Sequence, residues 1–142
     1  MQDLNTWVEI SESAYAHNLA FFKKLISKDT ELSVVIKSNA YGHCMAKVAE
    51  LALKYGVNSF CVHSLEEAMC LRKYGISQDI LIMGPVILSQ LDQVIKNNFR
   101  LVLYNIEHLN ELVKLTKKMD KRVRVHLKLE TGTHRQGIIE KK

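Results

Sequence analysis

Four short apolar runs recur along the chain at near-regular intervals: Leu32-Ser33-Val34-Val35-Ile36, Ser59-Phe60-Cys61-Val62, Ile80-Leu81-Ile82-Met83 and Leu101-Val102-Leu103-Tyr104. Their near-continuous hydrophobicity is expected of parallel strands covered on both faces. A fifth run, Val123 to Leu129, alternates instead and sets Arg124, His126 and Lys128 on one face, a polar inward face suited to the neighbourhood of a ligand. Between the runs lie helical patterns with their own punctuation. Ser11 or Ser13 opens a helix carrying Tyr15, Leu19, Phe22 and Ile26 on one side. Met45, Val48, Ala52 and Tyr55 form a stripe ended by Gly56. Ser64-Leu65-Glu66-Glu67 reads as a capping box for a helix that stops at Gly75. Ser89 begins another, with Leu91, Val94 and Ile95 inward, and Asn105 caps one carrying Ile106, Leu109, Leu112 and Val113.

Uninterrupted alternation of strand and helix predicts a parallel α/β protein. A doubly wound sheet and a (β/α)₈ TIM-type barrel both fit it. Neither G-x-G-x-x-G nor G-x-x-x-x-G-K-[ST] occurs, so the usual phosphate loops of nucleotide-binding sheets are missing. On the barrel reading, about five of the eight strands are present, since a complete barrel takes about 250 residues and this chain has 142. Residues 1–142 are then the N-terminal part of such a barrel.

Composition adds limits. Apolar residues make up 47% and charged residues 25%, as in ordinary globular proteins. No stretch approaches the ~18 apolar residues of a membrane span, and the polar opening Met1 to Thr6 is not that of a signal peptide. Cys44, Cys61 and Cys70 are odd in number and scattered, which argues for a reducing, cytoplasmic setting. The net charge of +5 raises the question of nucleic acid. Its carriers, however, are dispersed along predicted helices, and the densest groups (Lys117-Lys118 with Lys121-Arg122, and Lys141-Lys142) read as a solvated helix end and a tail. No aromatic residues interleave with them, so no nucleic-acid partner is expected, and a small phosphate ligand suits the charge equally well. His43 and Cys44 are adjacent rather than spaced as metal ligands, and no metal is expected.

The chemistry concentrates in Val34-Val35-Ile36-Lys37-Ser38-Asn39-Ala40-Tyr41-Gly42-His43. A lysine directly after an apolar strand stands at the strand's carboxyl end, where barrel active sites lie. Burial favours its neutral amine, the form that attacks an aldehyde. From spacing alone, a strand-ending lysine whose charge reaches solvent is the commoner arrangement.

The wider segment resembles the cofactor-lysine motif of alanine racemases, fold-type III enzymes dependent on pyridoxal 5'-phosphate (PLP). The resemblance continues along the chain. Trp7-Val8-Glu9-Ile10 with His17-Asn18-Leu19 is similar to the family's opening strand and first helix, and Ser64-Leu65-Glu66-Glu67-Ala68 with Leu71-Arg72 and Gly75 to the segment after its second barrel strand. His126-Leu127-Lys128-Leu129-Glu130-Thr131-Gly132-Thr133-His134-Arg135-Gln136-Gly137 is similar to its fifth-strand motif. The resemblance implies that Lys37 binds PLP covalently and serves as one of two racemising bases. It implies further that Tyr41 contacts the cofactor phosphate, that Arg135 approaches the substrate carboxylate, and that Lys128 occupies a position often carbamylated. Glu130 and Thr133 depart from the Asp and Met usual there. The second base, a tyrosine contributed across a homodimer interface, and the C-terminal β-domain lie beyond this chain. The implied activity of the complete enzyme is interconversion of L- and D-alanine, supplying D-alanine for peptidoglycan. Alternatives are a non-catalytic PLP-binding or interaction module, and a racemase for serine or another small amino acid.

Overall fold

The computed structural model describes residues 5–139. Met1–Leu4 of the polar opening, and the Lys141-Lys142 tail, lie outside the described residues. Elements follow in strict alternation: α1 (Glu12–Leu25), β1 (Val34–Val35), a helical turn α2 (Lys37–Tyr41), α3 (Met45–Lys54), β2 (Ser59–Val62), α4 (Leu65–Lys73), β3 (Asp79–Ile82), α5 (Leu91–Lys96), β4 (Arg100–Leu103), α6 (Ile106–Met119) and β5 (Arg124–Leu127). All neighbouring strands pair in parallel, in the spatial order β1-β2-β3-β4-β5. A doubly wound sheet reverses direction at a switch point. Here each strand adds to the same growing edge, as in a barrel, and the chain forms a five-strand arc of a (β/α) barrel.

Register assigns the two faces. Phe60 and Val62 of β2, Ile80 and Ile82 of β3, and Leu101 and Leu103 of β4 are buried against the helices. They meet Leu65, Ala68 and Leu71 of α4, Leu91, Val94 and Ile95 of α5, and Val48, Ala49 and Ala52 of α3 in one core. Each fully covered Phe, Leu or Ile there contributes about 1.5–3 kcal/mol relative to exposure. The alternate residues (Ser59, Cys61, Asp79, Leu81, Arg100, Val102, Arg124 and His126) turn to the concave inner face. At its N-terminal end the Asp79 carboxylate accepts from both Arg100 and Arg124, and Arg100 also donates to Glu31 at 3.0 Å. This cluster ties β3, β4 and β5 together at the end of the barrel associated with stability rather than chemistry.

Helix starts follow local capping. The Ser11 side chain accepts from the Ala14 amide, so Ser11 and not Ser13 is the cap of α1. Ser64 and Glu67 form the expected capping box, and Asn105 accepts from His108 N. Four expectations need correction. Ser89 does not start α5: it lies in a 3₁₀ turn, Leu88–Gln90, and the α-helix begins at Leu91. Trp7 to Ile10 is no strand here, because it finds no strand to pair with among the described residues, and Trp7 and Val8 are exposed. Of the apolar stripe on α6 only Leu112 is buried, with Ile106 63% exposed, and on α1 Phe22 faces solvent while Leu19 is buried. All four residues of β5 are exposed, including the apolar Val125 and Leu127. Arg124 is on the inner face as its alternation predicts, but the Asp79 cluster holds it at the end away from the candidate site.

Candidate active site

Lys37 follows β1 at its carboxyl end. The Ile36 amide donates to the Cys61 carbonyl at 2.9 Å, the last rung tying this strand to β2. The chain then turns with the opposite hand to an ordinary helix. Ser38, Asn39, Ala40 and Tyr41 have φ between 51° and 55°, four consecutive non-glycine residues in the left-handed region. Each costs about 1–2 kcal/mol relative to right-handed backbone, so the turn as a whole stores roughly 4–8 kcal/mol. Strain of this size persists only where surrounding contacts over-determine it, and it clusters at functional sites.

Side-chain and backbone contacts hold the turn in this form. Glu67 of α4 accepts from the Ser38 amide at 2.6 Å and from the His63 amide at 2.7 Å. The Asn39 side-chain oxygen accepts from Met45 N at 2.8 Å, capping the start of α3. Ala40 is buried, and the His43 ring nitrogen lies 2.9 Å from its carbonyl. Gly42, at φ 92°, ends the turn. The result sets the Lys37 amine 5.9 Å from the centre of the Tyr41 ring, within range of a cation–π contact. Lys37 is half-buried and Tyr41 is 61% exposed, so both are accessible to a ligand. At the carboxyl ends of β2 and β3, Gly84 donates its amide to the His63 carbonyl at 2.9 Å. A Cβ at Gly84 would stand 2.4 Å from that carbonyl oxygen, so only glycine permits the approach.

On the other edge of the sheet, Lys128 N donates to the Leu103 carbonyl at 2.9 Å and continues the β5 ladder by one residue. Leu81, Met83, Val102, His126 and Lys128 line a shallow, mostly apolar hollow. Past it the chain doubles back: Ile138 bridges Leu129, and Gly137 at φ 146° packs so closely that a Cβ would lie 2.6 Å from Glu130 N. Inside this loop the Glu130 carboxylate accepts from backbone amides. Those of His134 and Gly132 lead in holding its carboxyl below the usual carboxylate range. Arg135 is carried, exposed, on the loop so organised.

Thus the structure brings Lys37 and Tyr41 together, and places Lys128 and Arg135 on one segment. The two sets stand at opposite edges, β1 and β5, and no hydrogen bond or ion pair joins them among the described residues. Two elements escaped the sequence reading. Glu67's second oxygen reaches a partner 29 residues away, which no local pattern reveals. The Asp79 cluster had a signal: Asp79, Arg100 and Arg124 each open a strand that is otherwise mainly apolar.

Comparison with known proteins decides the family. The sequence model described as alanine racemase, N-terminal domain, matches residues 10–142. The chain belongs to the alanine racemase N-terminal domain family. It is 40% identical over 135 residues to alanine racemase 1 of Caldanaerobacter subterraneus subsp. tengcongensis, covering 95% of this chain and 35% of that protein. Among solved structures, alanine racemase from Bacillus anthracis with bound L-Ala-P superposes with a TM-score of 0.86 at 34% identity, over 96% of this chain and 35% of that one. Histidine racemase from Leuconostoc mesenteroides subsp. sake superposes with a TM-score of 0.82 at 26% identity, over 91% of this chain and 34% of that one. The chain therefore spans about a third of the length of the relatives it matches. With the strand order, these likenesses place it in the TIM-type barrel class.

Proposed function

We propose that this chain carries the cofactor-lysine portion of a PLP-dependent racemase that interconverts L- and D-alanine. The observation that carries the reading is the Lys37 amine: half-buried, at the carboxyl end of a barrel strand, rooted in a strained turn, and beside the Tyr41 ring. The strain begins at Ser38, directly after the lysine, and backbone strain held by many contacts clusters at functional sites.

The residues present fit PLP. An amine at the strand end suits its aldehyde, a phenol one turn on suits its phosphate, and the hollow lined from β3, β4 and β5 is apolar with two polar groups, His126 and Lys128. When bound, the cofactor supplies an electron sink that makes the α-proton of an amino acid acidic. The chain's residues do the rest. The Lys37 nitrogen holds the cofactor and moves the α-proton on one face of the amino acid. The Tyr41 hydroxyl donates to the phosphate. Arg135, a permanently charged fork of donors, grips the substrate carboxylate. Lys128, if carbamylated, presents an anion that orients Arg135. Exchange on the opposite face needs a second base, which none of these four residues supplies. It belongs to another part of the complete protein, and the full reading is of a cytoplasmic homodimer.

The likeness to a histidine racemase supports one further reading, a racemase for a different amino acid. The complete protein, incubated with PLP and single enantiomers of alanine, serine and histidine, is assayed by chiral chromatography. Fastest interconversion of alanine, abolished by Lys37→Ala, is expected. Turnover that survives Lys37→Ala overturns the role of Lys37, and preference for another amino acid overturns the substrate.

A further inference from the structure

We infer that Glu67 is a positioning residue for the Lys37 amine, acting through the backbone rather than on the reacting atoms; the inference rests on the cofactor-lysine reading above. A capping box needs one carboxylate oxygen to accept from the amides at the start of its own helix. In α4 that is Oε2, which accepts from His63 N at 2.7 Å and Ser64 N at 3.4 Å, while the Ser64 hydroxyl accepts from Glu67 N at 3.3 Å. Oε1 is left over, and it accepts from Ser38 N at 2.6 Å. One carboxylate therefore bridges the end of β2 and the residue after Lys37.

Lys37 is thereby flanked by two anchored amides. On its N-terminal side the Ile36 amide is fixed to Cys61 O at 2.9 Å; on its C-terminal side the Ser38 amide is fixed to Glu67. A lysine side chain has four rotatable methylene bonds, and where its amine can reach depends first on how its root is held. Ser38 is also the first left-handed residue, at φ 51° and ψ 49°. Release of its amide frees the strained turn at the point where it begins, and with it the angle between Lys37 and Tyr41. Three amides point at the two oxygens, those of His63 and Ser64 at Oε2 and that of Ser38 at Oε1. Glutamine has the same length but a single acceptor oxygen, and its NH₂ would face an N–H. Glu67→Gln therefore breaks one arm of the bridge while preserving shape.

The test uses the complete protein stripped of cofactor, with PLP itself as the probe. The rate at which borohydride-fixable PLP appears on Lys37 is followed in wild type, Glu67→Gln and Ser64→Ala. Ser64→Ala weakens the cap of α4 without touching the Ser38 amide, and so reports a purely structural role. Glu67→Gln should slow fixation about tenfold, the factor expected for one lost hydrogen bond to a charged acceptor. Ser64→Ala should leave the rate unchanged, and kcat should fall in Glu67→Gln with KM for the amino acid unaltered. If Glu67→Gln fails to fold by circular dichroism, Glu67→Asp, whose shorter arm cannot span both amides, stands in for it. An unchanged rate, or equal slowing by Ser64→Ala, overturns this inference alone. No fixed PLP on Lys37 in wild type overturns the functional reading, and this inference with it.

Discussion

Replacing Asp79 by Asn removes one charge from the inner face and leaves Arg100 and Arg124 without the carboxylate they share, Arg100 keeping only Glu31 as an ionic partner. The Asp79 side chain is 28% exposed, Arg100 15% and Arg124 49%. The Arg124 pair, half in solvent, is worth about 0.5 kcal/mol. The Arg100 contact is better covered and is worth about 1.5–3 kcal/mol as a hydrogen bond between charged groups. Together they give roughly 2–3.5 kcal/mol, and with a urea slope of about 1–3 kcal/mol/M the denaturation midpoint should fall by about 1 M or more at neutral pH. A pH dependence accompanies it. Hydrogen bonds from Arg124, and then from Arg100, outweigh burial and hold the Asp79 carboxyl below its ordinary value of 3.8. A depressed carboxyl stabilises the folded state fully above its unfolded pKa, and that contribution is lost as pH falls through the lower folded value. Wild type should lose this increment below about pH 4, whereas Asp79→Asn should have none to lose. The assay is urea unfolding followed by circular dichroism at several pH values. A midpoint within about 0.2 M of wild type at neutral pH, or identical acid profiles, would refute a stabilising role for the cluster.

Two further outcomes follow from the site. Gly84→Ala should destabilise the protein by about 1–3 kcal/mol, because its Cβ would meet the His63 carbonyl at 2.4 Å; an unchanged thermal midpoint would show that the β2 and β3 ends can separate without cost. Tyr41→Phe should weaken PLP retention by about 0.5–3 kcal/mol while still allowing the cofactor onto Lys37. Equilibrium dialysis measures this, and an unaltered dissociation constant would leave Tyr41 only its ring contact with the lysine.

Much of the fold was legible because burial on both faces writes apolar runs directly into the sequence. Observed β2 coincides with its run, Ser59–Val62, and β3 and β4 begin one residue before theirs. The capping box at Ser64 and the cap at Asn105 were equally readable, since both act within four residues. What failed depended on distant partners. Trp7 to Ile10 has strand character but no strand beside it, and the α6 stripe has apolar character that this arc covers only at Leu112. Ser89 has the side chain of a helix cap, yet the chain tightens there into a 3₁₀ turn. The site was legible as residues but not as geometry. Nothing in Ser38-Asn39-Ala40-Tyr41 announces a left-handed turn, because that turn is imposed by Glu67, by the cap on α3 and by the burial of Ala40.

The central claim is that Lys37 carries the cofactor, and its most direct test is chemical. The complete protein is incubated with PLP, reduced with borohydride, digested and mapped by mass spectrometry. The account predicts a pyridoxyl group on Lys37, in the peptide spanning Val34 to His43, and its loss in Lys37→Ala. A pyridoxyl group on another lysine, or none at all under conditions where the protein is folded, would contradict it.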